Sequence, residues 1–345
     1  MSAAIDAFNR WKRCKEAQRP QNALTARYEV QGFIASGTYG KVFKAVSRDK
    51  NDKRAFGIKQ FIPEGEARSE RTQGISQSAC REIALCRELR HEHVVALIDI
   101  LLTPESRMIY MVFEFAEYDL LQMVHFHWHT ERRPIPEYTI KTLLSQLLSG
   151  LSYLHANWIL HRDLKPANIL VTADGVVKIG DLGLARLYQK PLQPLFSGDK
   201  VVVTIWYRAP ELLLGARHYT KAIDLWAVGC IFAELLILKP LFKGTEVKME
   251  SKKVVPFQED QLTKICEVLG YPTASRWPEM DQLPEAATFA TRFPPSRFPA
   301  QSNLRAMWHE STRHHTGTMP LLAGLLHYNP LQRLSVQAAL DHPYF

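Results

Sequence analysis

The chain has 345 residues, 46% hydrophobic and 23% charged, with a formal net charge of +8. That balance belongs to ordinary globular proteins and excludes disordered or fibrous classes. Five cysteines, Cys14, Cys80, Cys86, Cys230 and Cys266, are widely spread without C-x-x-C spacing, which argues against a disulfide framework or a zinc site and for a reducing compartment.

The first 27 residues set six basic residues, Arg10, Lys12, Arg13, Lys15, Arg19 and Arg27, against Asp6 and Glu16. They contain no apolar core of a secretory signal. Ile5, Phe8 and Trp11 recur at threes and share one helical face, a surface suited to docking a protein. No aromatic stacking platform or groove-reading motif accompanies the charge, so sequence-specific nucleic-acid binding is not expected.

From Tyr28 to Phe115 the pattern predicts strands at Tyr28–Ile34, Val42–Val46, Phe56–Phe61, Leu97–Leu102 and Met108–Phe115, each rich in apolar and β-branched residues and bounded by turn residues. One amphipathic helix, Ser78–Leu89, interrupts them after a polar loop, Pro63–Gln77. Beyond Glu117 the period becomes helical, at Tyr138–Asn157, Ala222–Leu238, Gln261–Leu269 and Met319–His327. Strands first and helices later predict an α+β protein with a small β-rich part followed by a larger, mainly helical one. The longest apolar stretch, Ile223–Leu238, contains Asp224 and Glu234 and is too short to span a bilayer. Leu283–Pro299 is rich in proline and reads as an irregular surface insertion.

Four segments carry chemistry. Ser36-Gly37-Thr38-Tyr39-Gly40-Lys41-Val42 lies between two predicted strands, where a glycine turn brings backbone N–H groups close to phosphates. Ala55-Phe56-Gly57-Ile58-Lys59 ends on a lysine placed to reach phosphates, with Glu82 of the following helix as its ion-pair partner. In His161-Arg162-Asp163-Leu164-Lys165-Pro166-Ala167-Asn168, Asp163 is placed to accept a hydroxyl proton and Lys165 to neutralise a transferring γ-phosphate. Asn168, five residues after Asp163, and Asp181 of Asp181-Leu182-Gly183 are placed to hold magnesium between phosphates. Ala209-Pro210-Glu211 follows, with Arg333 as the partner of Glu211. The alternating histidines His125, His127 and His129 invite a metal reading. The helical period is expected to turn them to different faces, and no acidic or thiolate ligand adjoins them.

In order and spacing these motifs resemble the eukaryotic protein kinases over residues 28–345. The resemblance implies a bilobal fold, with an N-lobe over 28–116, a C-lobe over 117–345 and residues 1–27 as a basic extension that docks a cyclin. It implies ATP and Mg2+ as cofactors. The nucleotide would lie against Ile34, Ala35, Ser36, Gly37, Thr38, Tyr39, Gly40, Lys41, Val42 and Lys59. Glu114 and Ala116 would bind adenine through their backbone, with Phe113 behind it. Two positions depart from the family pattern: Ala35 stands in place of a glycine, which bears on loop flexibility, and Leu182 in place of a phenylalanine, which bears on the packing of the activation loop.

Val203-Thr204-Ile205-Trp206-Tyr207-Arg208-Ala209-Pro210-Glu211 is similar to the end of the activation segment in cyclin-dependent kinases, which act on Ser or Thr followed by Pro. Ser78-Ala79-Cys80-Arg81-Glu82, His155-Ala156-Asn157-Trp158, the Asp-x-Gly variant and the basic extension resemble the Mediator-associated, cyclin C-dependent branch in its fungal form. That branch implies a nuclear enzyme acting on the C-terminal repeats of RNA polymerase II and on transcription factors, with the other Mediator kinase-module subunits as partners. Arg81, Arg162 and Arg186 match the arginines that clasp an activating phosphothreonine in relatives; here Asp199 stands at the threonine's position, and the resemblance implies that a carboxylate from Asp199 or from a partner substitutes in part. Another transcriptional or cell-cycle cyclin-dependent kinase and a kinase-shaped scaffold are the alternative readings. The scaffold would require Lys59, Asp163, Asn168 or Asp181 to be missing, and all four are present.

Overall fold

A computed structural model describes residues 23–37, 40–61, 77–103, 108–188, 204–218, 220–247, 256–305 and 317–345. The chain divides into two compact units, Met1–Leu89 with Ala96–Phe115, and Arg90–Val95 with Ala116–Phe345.

In the first unit a short helix, α1 (Ala23–Arg27), leads into strands β1 (Tyr28–Gly37), β2 (Gly40–Ser47) and β3 (Ala55–Phe61), helix α2 (Gln77–Glu88), and strands β4 (Leu97–Thr103) and β5 (Met108–Glu114). The strands form one antiparallel sheet in the order β1-β2-β3-β5-β4. Tyr28, Ala45, Phe56, Ile58, Leu101 and Val112 alternate inward along their strands to make its core, with Leu24 of α1 packed on it. Arg27 pairs with Asp99 at 2.5 Å, so the last residues of the basic segment are tied to the sheet. Register fixes the centre of the site: Lys59 on β3 stands opposite Val42 on β2 and Met111 on β5.

The second unit begins with β6 (Tyr118–Asp119) and α3 (Leu120–Phe126), whose N-terminus is closed by a capping box of Asp119 and Gln122. A turn of π-helix, His127–Glu131, ends at Arg132 in the left-handed region. Then follow α4 (Glu137–Ala156), β7 (Ile159–Leu160), β8 (Ile169–Val171), β9 (Val177–Ile179) and β10 (Arg186–Leu187). The remaining helices are α5 (Pro210–Leu213), α6 (Ala222–Ile237), α7 (Glu259–Leu269), α8 (Ala286–Arg292), α9 (Thr318–Leu325) and α10 (Val336–Leu340). Apart from Asp224 and Glu234, helix α6 is apolar on all faces because it is buried all round, from Ile223 to Leu236. Among the described residues no helix is long and apolar enough to cross a membrane. Arg90–Val95, which separates α2 from β4 in sequence, packs with this unit: Val95 N–H donates to the Ile179 carbonyl (2.9 Å) and Arg90 N–H to the Tyr153 hydroxyl (2.9 Å).

Two expectations are corrected. Leu283–Pro299 is not an irregular surface insertion: α8 runs through it, and Phe289, Phe293 and Phe298 are buried. The ring of Phe293 stacks on those of Phe289 (4.4 Å) and Phe298 (5.6 Å). Its prolines stand outside the helix, where they interrupt no hydrogen bond. The three histidines are not all turned to different faces, because His125 and His129 are four residues apart and their rings meet at 6.1 Å. Among the described residues no group of three or more His, Cys, Asp or Glu side chains is arranged to hold a metal.

Candidate active site

In the first unit Lys59 leaves the middle of the sheet and meets helix α2. Its Nζ lies 2.8 Å from both carboxylate oxygens of Glu82, and Glu82 is only 1% exposed. A doubly held ammonium has little freedom to wander, so the pair fixes one positive charge in space. At the hairpin between β1 and β2, Gly40 approaches β3 so closely that a Cβ would be driven into the Gln60 carbonyl. Ala35 pairs with Val42 in the β1–β2 ladder without a positive φ, so alanine is accommodated at the place where the family pattern has glycine. Ile34 and Ala35 are exposed on β1, while Thr38 and Tyr39 lie outside the described residues. Glu114 N–H donates to the Ala96 carbonyl (3.0 Å) and its Oε1 accepts from Ala96 N–H (2.7 Å), which pins the end of β5 beside Phe113.

In the second unit a hairpin does the positioning. Strands β8 and β9 pair from Ile169↔Ile179 to Val171↔Val177, and the Gly180 N–H donates to the Asn168 carbonyl at 2.9 Å. The residue before β8 and the residues after β9 are therefore neighbours, and Asn168 and Asp181 sit at the same end of the hairpin. Asp181 has φ +56°, a left-handed conformation that is uncommon outside glycine. It opens the turn Leu182–Leu184, where Leu182 is fully buried and fills the place of the family's phenylalanine with an apolar side chain.

The His161–Asn168 loop surrounds one carboxylate. Asp163 is 6% exposed, and its Oδ2 accepts from Lys165 Nζ (2.8 Å) and Asn168 Nδ2 (3.1 Å). Asn168 Nδ2 also donates to the Asp163 carbonyl (2.8 Å), which turns the amide oxygen the other way. Asp163 Oδ1 is buried and has no hydrogen-bond partner among the described residues. A buried carboxylate oxygen left without a donor is costly in a folded protein unless a hydrogen-bond donor approaches it. Amide and carboxylate oxygens such as those of Asn168 and Asp181 are the hard donors that magnesium takes, so the residues present fit that ion.

The loop's backbone is held from below by a residue that the motifs did not single out. Asp224, at the start of α6, accepts from Arg162 N–H on Oδ1 (2.9 Å), and from His161 N–H (3.0 Å) and His155 Nε2 (2.9 Å) on Oδ2. Burial opposes its ionisation, but the His155 hydrogen bond and charge, with His161 and the Arg162 N–H, outweigh it and hold the carboxyl below its ordinary value. His161 also bonds the Gly180 carbonyl through Nε2 (2.9 Å) and receives the Asp163 N–H on Nδ1 (3.2 Å). The readable signal for Asp224 was an acid in the first turn of a helix whose other residues, Glu234 apart, are apolar.

Downstream, Thr204, Tyr207 and Arg208 line a small cavity together with Asp163. Tyr207 donates to Glu234 Oε2 (2.6 Å). Glu211 and Arg333 form the expected pair: Oε1 and Oε2 meet Nη1 and Nη2 at 2.8 and 3.0 Å, with both residues at most 5% exposed. Of the proposed phosphate clasp, Arg162 donates to the Leu184 carbonyl (3.2 Å) and Arg186 pairs with Leu160. Arg81 belongs to α2 of the first unit, and Asp199 lies outside the described residues, as do Ile5, Phe8 and Trp11.

The protein kinase domain model matches residues 28–345. The chain is 56% identical to the serine/threonine-protein kinase SSN3 of Yarrowia lipolytica, over 92% of this chain and 77% of that protein. It is 53% identical to ssn3 of Aspergillus niger, over 92% and 78%. To SSN3 of Gibberella moniliformis it is 51% identical, over 95% and 81%.

Proposed function

The chain belongs to the protein kinase family, whose members use ATP and Mg2+, and from that premise we propose that it is a cyclin-dependent Ser/Thr kinase moving the γ-phosphate of ATP onto Ser or Thr followed by Pro. The observation that carries the reading is Asp163, a carboxylate with one oxygen held by Lys165 and Asn168 and the other buried without a donor. Such an oxygen takes the proton of an incoming hydroxyl as its oxygen attacks phosphorus. Lys165, already beside that carboxylate, offers positive charge to the phosphoryl group in transit.

Lys59, clamped by Glu82, binds the α- and β-phosphates, and the backbone of residues 34–42 covers them. Glu114 and Ala116 bind adenine through their backbone, and Phe113 closes the rear. Asn168 and Asp181 would hold magnesium, which would supply positive charge against that developing on the phosphates. Arg81, Arg162 and Arg186 gather an acidic group, Asp199 or one from a partner, that orders the segment ending at Glu211.

The four stretches that resemble the Mediator-associated branch, together with relatives named SSN3, support a place in the nuclear Mediator kinase module. The partner is a cyclin of the C type, docked in part through residues 1–27. The substrates include the RNA polymerase II C-terminal repeats and transcription factors. In the purified cyclin complex, Asp163→Asn should keep ATP binding while lowering phosphate transfer by roughly 10²–10⁴-fold, and Lys59→Met should be inactive. Wild-type turnover in both variants would overturn the assignment.

A further inference from the structure

Thr204 borders two hollows of the second unit. One is the small cavity it shares with Asp163 and Arg208. The other is an open groove of about 630 Å³, formed by Thr204, Ile205 and Trp206 with Lys243, Gly244, Thr245 and Glu246. The segment 243–247 has no regular secondary structure, yet α7 and the residues before it hold it firmly. Gly244 N–H donates to Gln261 Oε1 (3.0 Å), Thr245 N–H to Asp260 Oδ2 (2.7 Å) and Val247 N–H to Gln258 Oε1 (2.9 Å), and Gln258 Nε2 returns a bond to the Val247 carbonyl (2.9 Å). The Trp206 indole N–H donates to the Gly244 carbonyl at 2.7 Å. Gly244 is so close to α7 that a Cβ would lie 2.6 Å from the Gln261 Cα.

On this fixed wall Lys243 places its Nζ over the Trp206 ring at 5.1 Å. It is exposed and pairs with no carboxylate among the described residues. Buried Glu234 feels its charge but is bonded to Tyr207. Glu246 in the same groove faces the charge of the half-buried Arg208. The cation left to address a ligand is Lys243, and a lysine resting on an indole face has already lost part of the freedom it would lose on binding.

We propose that this groove receives the stretch of substrate chain flanking the phosphoacceptor, and that Lys243 selects an acidic side chain there, either a carboxylate or a phosphate left by an earlier phosphorylation. The inference rests on Asp163 as the transfer site, since Thr204 lines both the groove and the small cavity that Asp163 borders. An ammonium is a point charge with three donors and serves either anion.

The test is a Ser-Pro peptide series in which each flanking position on either side carries Asp, phosphoserine, Ala or Lys in turn, assayed with the full chain in its cyclin complex. At one flanking position the acidic peptides should show a KM lower than the Ala peptide by about three- to ten-fold. Lys243→Met should bring that ratio to one, and Lys243→Glu should reverse it in favour of Lys, with circular dichroism showing both variants folded at the assay temperature. A phosphoserine effect well above the Asp effect identifies a primed substrate; equal effects identify an acidic one. The same ratios, read by fluorescence anisotropy on the Asp163→Asn form, need no turnover. Absent phosphorylation with a Lys243-dependent binding ratio would therefore sink the kinase reading and leave the groove standing. A ratio of one at all positions in the wild type, or one that persists in Lys243→Met, overturns the inference.

Discussion

Replacing Asp224 by Asn probes how the His161–Asn168 loop is held. The carboxylate is 1% exposed and serves three donors, with Arg162 N–H on one oxygen and His161 N–H and His155 Nε2 on the other. To aim two successive backbone N–H groups at one side chain, Arg162 adopts φ +71°, a left-handed conformation that costs about 1–3 kcal/mol at a non-glycine residue. An amide has one oxygen, and its NH2 cannot accept. Whichever way the introduced amide turned, at least one loop N–H would face another N–H. A hydrogen bond to a charged group is worth about 1.5–3 kcal/mol, and an orphaned buried donor costs about 1–3 kcal/mol more. The loss, about 2.5–6 kcal/mol, is as large as or larger than the strain that those bonds sustain at Arg162, so the loop should relax and Asp163 should move. Urea unfolding should show the second unit weakened by that amount. Peptide phosphorylation should show kcat lowered by about 10–100-fold, as for a misplaced reacting group, with ATP affinity changed far less. A variant as stable as the wild type with full kcat would refute the argument.

The sheet was legible because its strands alternate: Phe56 and Ile58 point into the same core from β3, and the expected Phe56–Phe61 falls within the observed Ala55–Phe61. Boundaries moved by a residue or more where backbone partners decide the ends. Leu283–Pro299 was misread because proline counts as a breaker only inside a helix, and Pro284, Pro294 and Pro295 all stand outside α8. The four-residue spacing of Phe289 and Phe293 was the better signal. In the site, Lys59, Asp163, Asn168 and Asp181 could be named because each lies in a short local pattern. Asp224 could not, since two of its three donors are peptide N–H groups, which any sequence supplies, and the third, His155, is distant in sequence. The groove wall at Lys243–Val247 is invisible for a similar reason: Gln258, Asp260 and Gln261 read as surface polar residues until their side chains are seen bonded to that segment's backbone.

The Glu211–Arg333 pair should behave as a buried ion pair. Glu211→Ala leaves a guanidinium over Trp226 with only backbone carbonyls for company and should cost about 3–5 kcal/mol in urea unfolding. Glu211→Ala combined with Arg333→Met should recover part of that loss, and strict additivity would count against the pair. The pH dependence gives a separate handle through Glu234, which burial pushes up from 4.5 to about 6 despite the Tyr207 hydrogen bond and the Lys243 charge. Because its folded value lies above its unfolded one, the folded state keeps a proton that the unfolded chain releases between these two values. The resulting stabilisation is full below pH 4.5 and is lost as pH rises through about 6; a span of that size corresponds to about 2 kcal/mol. Glu234→Gln cannot ionise, yet it keeps an oxygen to accept from Tyr207. Relative to the wild type it should therefore gain about 2 kcal/mol on going from acid to neutral solution. Comparing variant with wild type cancels groups such as Asp224, whose lowered carboxyl acts in the opposite sense at more acid pH. Urea midpoints measured on both sides of the window decide the matter: a difference between the two proteins that stays the same across it would show that Glu234 is already ionised when buried beside Tyr207.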